Sequence, residues 1–368
     1  MTAVHTTHRT YGETPYSLNQ REREILRLVV QSFVHTAGPV GSRFLSKRYP
    51  LGLSPASIRN TMSDLEERGY LDHPYTSAGR IPTELGYRAY VDELMETVPV
   101  PPSVRRSLKH RLRPARQDAE EMLRIGSRLL GELTNLLGVV LSPRLSTGVL
   151  ERLEIVPLSS TRVMFVLSVR GGLIRTMIFP MQAGHDIRRE ELVRIVALLN
   201  ERLAGLTLEE IRRSCRPRVR DLEDTTGLVR LILDESTTLF SELTDTRHVE
   251  YGGTGNILAL PEFKEPADLR GLIEMLEDET TLVYLLEEPD PPAEFDVARA
   301  QVRIGSENRR AAVGGEKVER FSVVTARYKL GDTVGTIGVI GPTRMDYARV
   351  VALVEEMARQ MSGPAEVS

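Results

Sequence analysis

Cys215 is the only cysteine of the chain. An internal disulfide and a thiolate cage for a metal are therefore excluded, and a single thiol is usual in a reducing compartment. Long apolar runs are missing too. None approaches the roughly 20 residues a bilayer helix needs, which excludes insertion as a membrane helix. The opening stretch, Met1 to Ser17, is polar and carries no apolar segment ahead of a small-residue cleavage site. It reads as a loose tail in the cytoplasm, not as a secretory signal. Catalytic signatures are absent as well: no His-Glu-x-x-His, no Gly-x-Ser-x-Gly, and seven histidines without metal spacing. Gly252-Gly253-Thr254-Gly255 lacks the Gly-Lys-Ser/Thr ending and the helix of a phosphate loop and reads as a plain turn. Glu287 and Glu288 are adjacent, so on any regular element they point apart. No enzyme, cofactor or metal is expected.

What is present begins with length. A chain of 368 residues is long enough for two or three separate cores. With 41% hydrophobic and 27% charged residues it sits near the average for globular proteins. The net charge of −3 argues against a generally basic coat, but position matters more than the total. Between Pro39 and Arg80 there are six Lys or Arg against four Asp or Glu, and between Pro101 and Leu130 eight against three. The basic excess lies in the first third.

From Leu18 to Val34 the residues Ile25, Leu26, Val29, Val30, Phe33 and Val34 recur at steps of three and four, the pattern of an amphipathic helix. Gly38 to Gly41 stops it. Ser42 is placed to cap a short helix with Phe44 and Leu45 as its buried pair, followed by a turn through Tyr49 to Leu53. Ser54 stands as an N-cap with Pro55 at the first helical position, and Gly69 ends a helix that runs to Arg68. At about 100° per residue, Ile58, Met62 and Leu65 share one stripe. Ala56, Asn60 and Ser63 project from the other side, flanked by Ser57, Arg59 and Asp64. Such a helix end offers an amide to adenine, a guanidinium to guanine or phosphate, and a methyl to thymine.

Tyr70 to Asp72 reads as a strand and His73 to Pro82 as a hairpin with a basic tip, together a wing. Gly79 is expected to turn the backbone sharply toward a duplex, and Arg80 to reach a phosphate or a narrow minor groove. Thr83 caps a further helix with Leu85, Tyr87, Val91, Leu94 and Met95 as its stripe, and Pro99 to Pro102 closes the unit. His35 and His73 read as structural or surface residues. The expected DNA-contacting set is Ser54, Ala56, Ser57, Arg59, Asn60 and Ser63, with Arg43, Lys47 and Arg80 on phosphates or the wing.

Beyond the prolines, Arg105 to Leu137 reads as one helix. Strands are expected at Leu153 to Val156, Val163 to Val169 and Leu173 to Phe179, the last two joined by Arg170-Gly171-Gly172. Helices follow at Ile187 to Leu203, Leu222 to Leu243 and Ala267 to Glu277. Strands at Val297 to Ile304, Phe321 to Tyr328 and Thr333 to Ile340 then precede a helix from Arg344 to Met361. The order is that of a multidomain α+β protein.

The segments GPVGSRFLSKRY, LGLSPASIRNTMSDLEERGYL and TSAGRIPTELGYRAYVDEL resemble the N-terminal part of the HrcA family of heat-inducible transcription repressors. The resemblance resumes in YGGTGNIL with PEF (Tyr251 to Leu258, Pro261 to Phe263), IGSEN (Ile304 to Asn308), and VVTARY through GTIGVIGPTRMDY (Val323 to Tyr347). Thr61 stands where the family commonly has an acidic residue, and Arg320-Phe321-Ser322 replaces a run that usually contains cysteine. The resemblance implies a winged helix-turn-helix at 17–98 and a GAF-like domain at 99–205 and 266–365, interrupted by a dimerisation domain expected at 206–265. It further implies a homodimer on an inverted-repeat operator in double-stranded DNA upstream of chaperone genes, with Ala56, Ser57, Arg59 and Asn60 nearest the bases. Release on heat stress and assistance from a chaperonin belong to the same implication, and no membrane does. The alternative is a ligand-gated winged-helix regulator that senses a metabolite through the GAF-like domain.

Overall fold

Asn19 opens the first element. Its side chain accepts from the Glu22 amide at 3.0 Å while the Glu22 carboxylate accepts from the Asn19 amide at 2.8 Å, a reciprocal cap that starts α1 (Gln20–Thr36). The computed structural model describes residues 18–75, 78–181, 188–222, 227–235, 247–287, 297–310 and 318–362. α1 is followed by α2 (Ser42–Arg48), α3 (Pro55–Glu67), the short strands β1 (Leu71–Asp72) and β2 (Ile81–Pro82), and α4 (Glu84–Ala89), which a π turn extends over Tyr90–Leu94. Ile25, Leu26, Leu45, Ile58 and Leu65 are fully buried where the first three helices meet. Three expectations are corrected here. Gly41, not Ser42, is the N-cap of α2. Phe44 is 44% exposed, because neighbours on a helix diverge by about 100° and Leu45 takes the inward position. Leu85 is 39% exposed, and the π turn brings Tyr90 into the core in its place.

The helix expected from Arg105 to Leu137 is broken into α5 (Pro102–Leu112), a 3-10 turn (Arg113–Gln117) and α6 (Ala119–Thr134). Pro114 has no N–H to continue a helix, and Asp118 starts the next one by accepting from the Glu121 amide at 3.1 Å. Asn135, left-handed with φ 61°, ends α6. The apolar run after it is not helix but β3 (Leu137–Leu141), buried along its whole length.

Next come β4 (Leu150–Ser159), β5 (Arg162–Val169) and β6 (Leu173–Pro180), which form an antiparallel sheet of three. α7 (Arg189–Leu203) lies against β4, with Asn200 donating to the Leu153 carbonyl and accepting from the Leu153 amide, both at 2.8 Å. α8 (Leu208–Val219), begun by a Thr207–Glu210 capping box, has no counterpart in the sequence expectation. The helix expected at Leu222 to Leu243 is seen as α9 (228–235); Leu222 and Gly227 are not helical, and 223–226 and 236–243 lie outside the described residues.

The remaining elements are β7 (Val249–Gly252), α10 (Thr254–Leu258), α11 (Pro266–Glu277), α12 (Glu279–Leu286), β8 (Gln301–Ile304), β9 (Phe321–Leu330), β10 (Thr333–Pro342) and α13 (Tyr347–Met361). Pairing of β8 begins at Gln301, not Val297, and α13 begins after Arg344 because Asp346 caps it. The strands β7-β3-β10-β9-β8 make one antiparallel sheet of five. Alternation sends Val140, Val324, Ala326 and Ile337 toward α6 and α13, and Leu137, Leu141, Val323 and Ile340 toward α11 and α12. Leu141 pairs with Val249, and the Ser142 amide donates to the His248 carbonyl at 2.9 Å. The chain therefore leaves the larger sheet and re-enters it at neighbouring points. The limits 206–265 do not follow this topology: β4, β5 and β6 lie inside the excursion, whereas β7 and α10 lie in the larger sheet and beside it. Sheet membership is decided by distant partners, which local periodicity does not reveal. Among the described residues no helix is long and apolar enough to cross a membrane.

Candidate nucleic-acid interface

The start of α3 is built as its residues require. Ser54 Oγ accepts from the Ser57 amide at 3.1 Å, and Pro55 follows at the first helical position. Ile58, Met62 and Leu65 face the core, so Ser54, Ala56, Arg59 and Asn60 are exposed and Ser57 and Ser63 half-buried. Thr61 belongs to the inward face: it is 6% exposed and its hydroxyl donates to the Ser57 carbonyl at 3.2 Å. The departure from the family pattern at this position therefore lies against the core, away from Arg59 and Asn60.

Charge separates the faces of the unit. Arg23 pairs with Glu93, Arg27 with Glu96, Arg68 with Glu22 and Arg88 with Glu307. Arg43, Lys47 and Arg59 are exposed and make no ion pair among the described residues. Arg48, in the last turn of α2, shares that condition and was missed by the sequence reading. Its signal was present in the run Ser46-Lys47-Arg48, but a seven-residue helix gave too little periodicity to place it.

β1 and β2 pair through Leu71–Pro82 and Asp72–Ile81, and the ribbon is widened by Val40, whose amide and carbonyl bond Arg80 at 2.8 and 2.9 Å. Gly79 serves this bridge and no left-handed turn: an added Cβ would lie 2.5 Å from the Val40 carbonyl carbon. Tyr75 is 64% exposed beside the tip, and Thr76 and Ser77 lie outside the described residues. The Arg80 guanidinium is folded back onto Glu66 of α3 at 2.5 Å, and His73 pairs with the other oxygen of the same carboxylate. Glu66 is the residue that sequence reasoning missed here, since its role appears only once the wing folds against α3. Glu66, Asp72 and His73 are near enough to share one ion, but Arg80 already neutralises Glu66.

Gly252 ends β7 and α10 begins at Thr254, so a short helix follows where a plain turn was expected. Asn256 there donates to the Gly131 carbonyl at 2.9 Å and ties the segment to α6.

A family model described as the HrcA protein C-terminal domain matches residues 120–351. The heat-inducible transcription repressor HrcA of Prosthecochloris aestuarii is 41% identical over 353 residues, covering 94% of this chain and 97% of that protein. The chain belongs to the HrcA family. The repressor HrcA of Chlorobium phaeobacteroides is 39% identical over 355 residues, with 94% and 98% covered. That span leaves too little of the chain aside for the N-terminal unit to fall outside it. A crystal structure described as that of a hypothetical protein has a similar fold, with a TM-score of 0.55 at 23% identity over 94% of this chain and 98% of the other. HrcA relatives carry the name of a transcription repressor, a regulatory role and not an enzyme's.

Proposed function

We propose that residues 18–98 act as a winged helix-turn-helix that places the start of α3 in the major groove of an operator in double-stranded DNA. The observation that carries this is the contrast in pairing: among the described residues Arg43, Lys47 and Arg59 are exposed without a carboxylate, while Arg23, Arg27, Arg68 and Arg88 are each paired with one. In this reading Arg59 and Asn60, with Ala56 and Ser57, read base edges, and Ser54 and Ser63 border them. Arg43 and Lys47 hold phosphates. Arg80 reaches a phosphate only when its pair with Glu66 opens, so its first duty is to hold the wing against α3.

The larger sheet with its two helical layers is, in this proposal, a GAF-like domain, and residues 142–248 are the inserted dimerisation unit. Support for the second part comes from the outward face of the smaller sheet. Cross-strand register aligns Val156, Met164 and Ile178, and next to them Val166 and Ile174. Val156, Ile174 and Ile178 are 38, 58 and 48% exposed, an apolar face suited to a second copy. A two-fold dimer would read an inverted repeat, and the relatives' name, heat-inducible transcription repressor, supports a part for such binding in heat-inducible repression. Warming by a few degrees removes a few kcal/mol from a marginal association and empties the operator. A chaperonin that restores the folded dimer would link repression to the supply of free chaperonin.

The test is selection of bound sequences from a random duplex pool by the full chain. Enrichment of an inverted repeat is expected. A pool that stays random, or that enriches only single-stranded sequences, would refute the reading.

A further inference from the structure

Three motifs singled out in the sequence, Pro261 to Phe263, Ile304 to Asn308 and Gly341 to Tyr347, stand far apart in the chain yet meet along one seam against the N-terminal unit. Arg344, whose side chain is only 16% exposed, donates from Nε to Glu262 Oε1 at 2.6 Å and from Nη1 to the Val34 carbonyl in the last turns of α1 at 2.8 Å. Glu84 accepts from the Ser306 amide at 3.1 Å and from the Ser306 hydroxyl. Gly305, beside it at φ 53°, leaves the room that the Glu84 carboxylate fills. Arg88 donates from Nε to Glu307 Oε1 at 2.8 Å and from Nη2 to the Val302 carbonyl at 2.8 Å. Glu307 is itself fixed by the Ile304 amide at 2.8 Å. Between these pairs the Tyr87 and Tyr347 rings meet with centroids 5.8 Å apart. Burial would lower the Arg88 pKa, but the hydrogen bond and charge of Glu307 outweigh it, and the guanidinium is held above its ordinary value.

Glu84, Tyr87 and Arg88 are spaced as one face of α4, which packs on α1, and α1 in turn packs on α3. The body therefore grips the reading unit through α4 and through α1, the helix that packs directly on α3. Fork-shaped, charge-assisted bonds fix direction more sharply than apolar contact does.

We propose that Arg344, Glu307 and Glu84 are positioning residues that set the angle between reading unit and body. In a dimer held through the body, that angle fixes the distance between the two α3 helices, and with it the number of base pairs between half-sites. This rests on the two-copy operator reading given above.

The experiment uses the full chain and duplexes that carry two half-sites separated by spacers of every length over one helical turn. Wild type is expected to prefer one spacer length. Arg344→Gln and Glu307→Gln are expected to keep the half-site sequence but bind several spacer lengths within a few-fold of each other, with about tenfold loss at the preferred one. Arg344→Lys, which keeps the charge but not the fork, should fall between. Glu84→Ala, on an exposed side chain, covers the case in which a buried substitution prevents folding, and should broaden the distribution likewise. Variants that fold and retain the sharp wild-type preference overturn the proposal alone. A wild type without any spacer preference overturns the two-copy reading and this proposal with it.

Discussion

Arg59 lies on α3 and Arg68 caps its end, and the two differ in surroundings. Arg68 pairs with Glu22 at 2.7 Å and packs over the Tyr70 ring, and so joins α3 to α1. Among the described residues Arg59 has no such partner, as its proposed contact with DNA requires. Arg59→Ala should cost on the order of 1–3 kcal/mol at one base position and relax specificity there. Lys47→Ala should weaken all sequences alike and reduce the slope of log affinity against log salt by about 1. Titrations at several salt concentrations separate the two, and equal salt slopes with equal specificity would count against both roles. Cys215 gives a second test at this scale. It is 1% exposed, and burial pushes its thiol up to about 11, so the reactive thiolate is scarce at neutral pH. Alkylation at pH 8 should therefore be slow in the folded chain and fast in denaturant. Prompt labelling under native conditions would show that α8 does not pack as described. The cap Ser54-Pro55 and the stripe Ile58, Met62, Leu65 were legible in the sequence because they depend on neighbours. The Arg80–Glu66 pair was not, because it joins the wing to a helix that precedes it.

Elements that carry their own punctuation were read closely. α1, α3, β5, β6 and α7 begin or end at caps and glycine turns that the sequence displays. β3 was absorbed into the preceding helix because five apolar residues buried on both sides show no alternation. β7 escaped notice for another reason: it is four residues long, and its pairing with β3 draws on a strand more than a hundred positions earlier. The smaller sheet supplies the prediction at this scale. Ile174→Glu combined with Ile178→Glu places charge on its outward face without touching Phe165 or Leu167 inside, both fully buried. Sedimentation should shift from dimer to monomer and operator affinity should fall with it, while far-UV circular dichroism stays unchanged. Dimers that persist in this variant would move the two-fold contact elsewhere.

At the scale of the molecule, a net charge of −3 coexists with the exposed cations Arg43, Lys47, Arg48 and Arg59 on α2 and α3, so in the proposed reading attraction to DNA is local and orienting. Heat release through dissociation has a signature that unfolding of a single chain lacks. The temperature at which half the operator is vacated should rise with protein concentration, because association is second order. Fluorescence anisotropy of labelled operator across a hundredfold range of protein, with and without chaperonin, measures it. A midpoint independent of concentration would assign release to unfolding within one chain.

The position of β3 imposes an order on folding. Leu137 to Leu141 emerge from the ribosome with both edges bare, because Val249 and Thr336, the residues that pair with Leu141, lie far downstream. A sticky, unpartnered ribbon at the centre of the future sheet must wait while the whole excursion collapses, and open edges of this sort invite wrong partners. Under the proposed function, that strand order would make maturation slow and give a sheltering compartment its use.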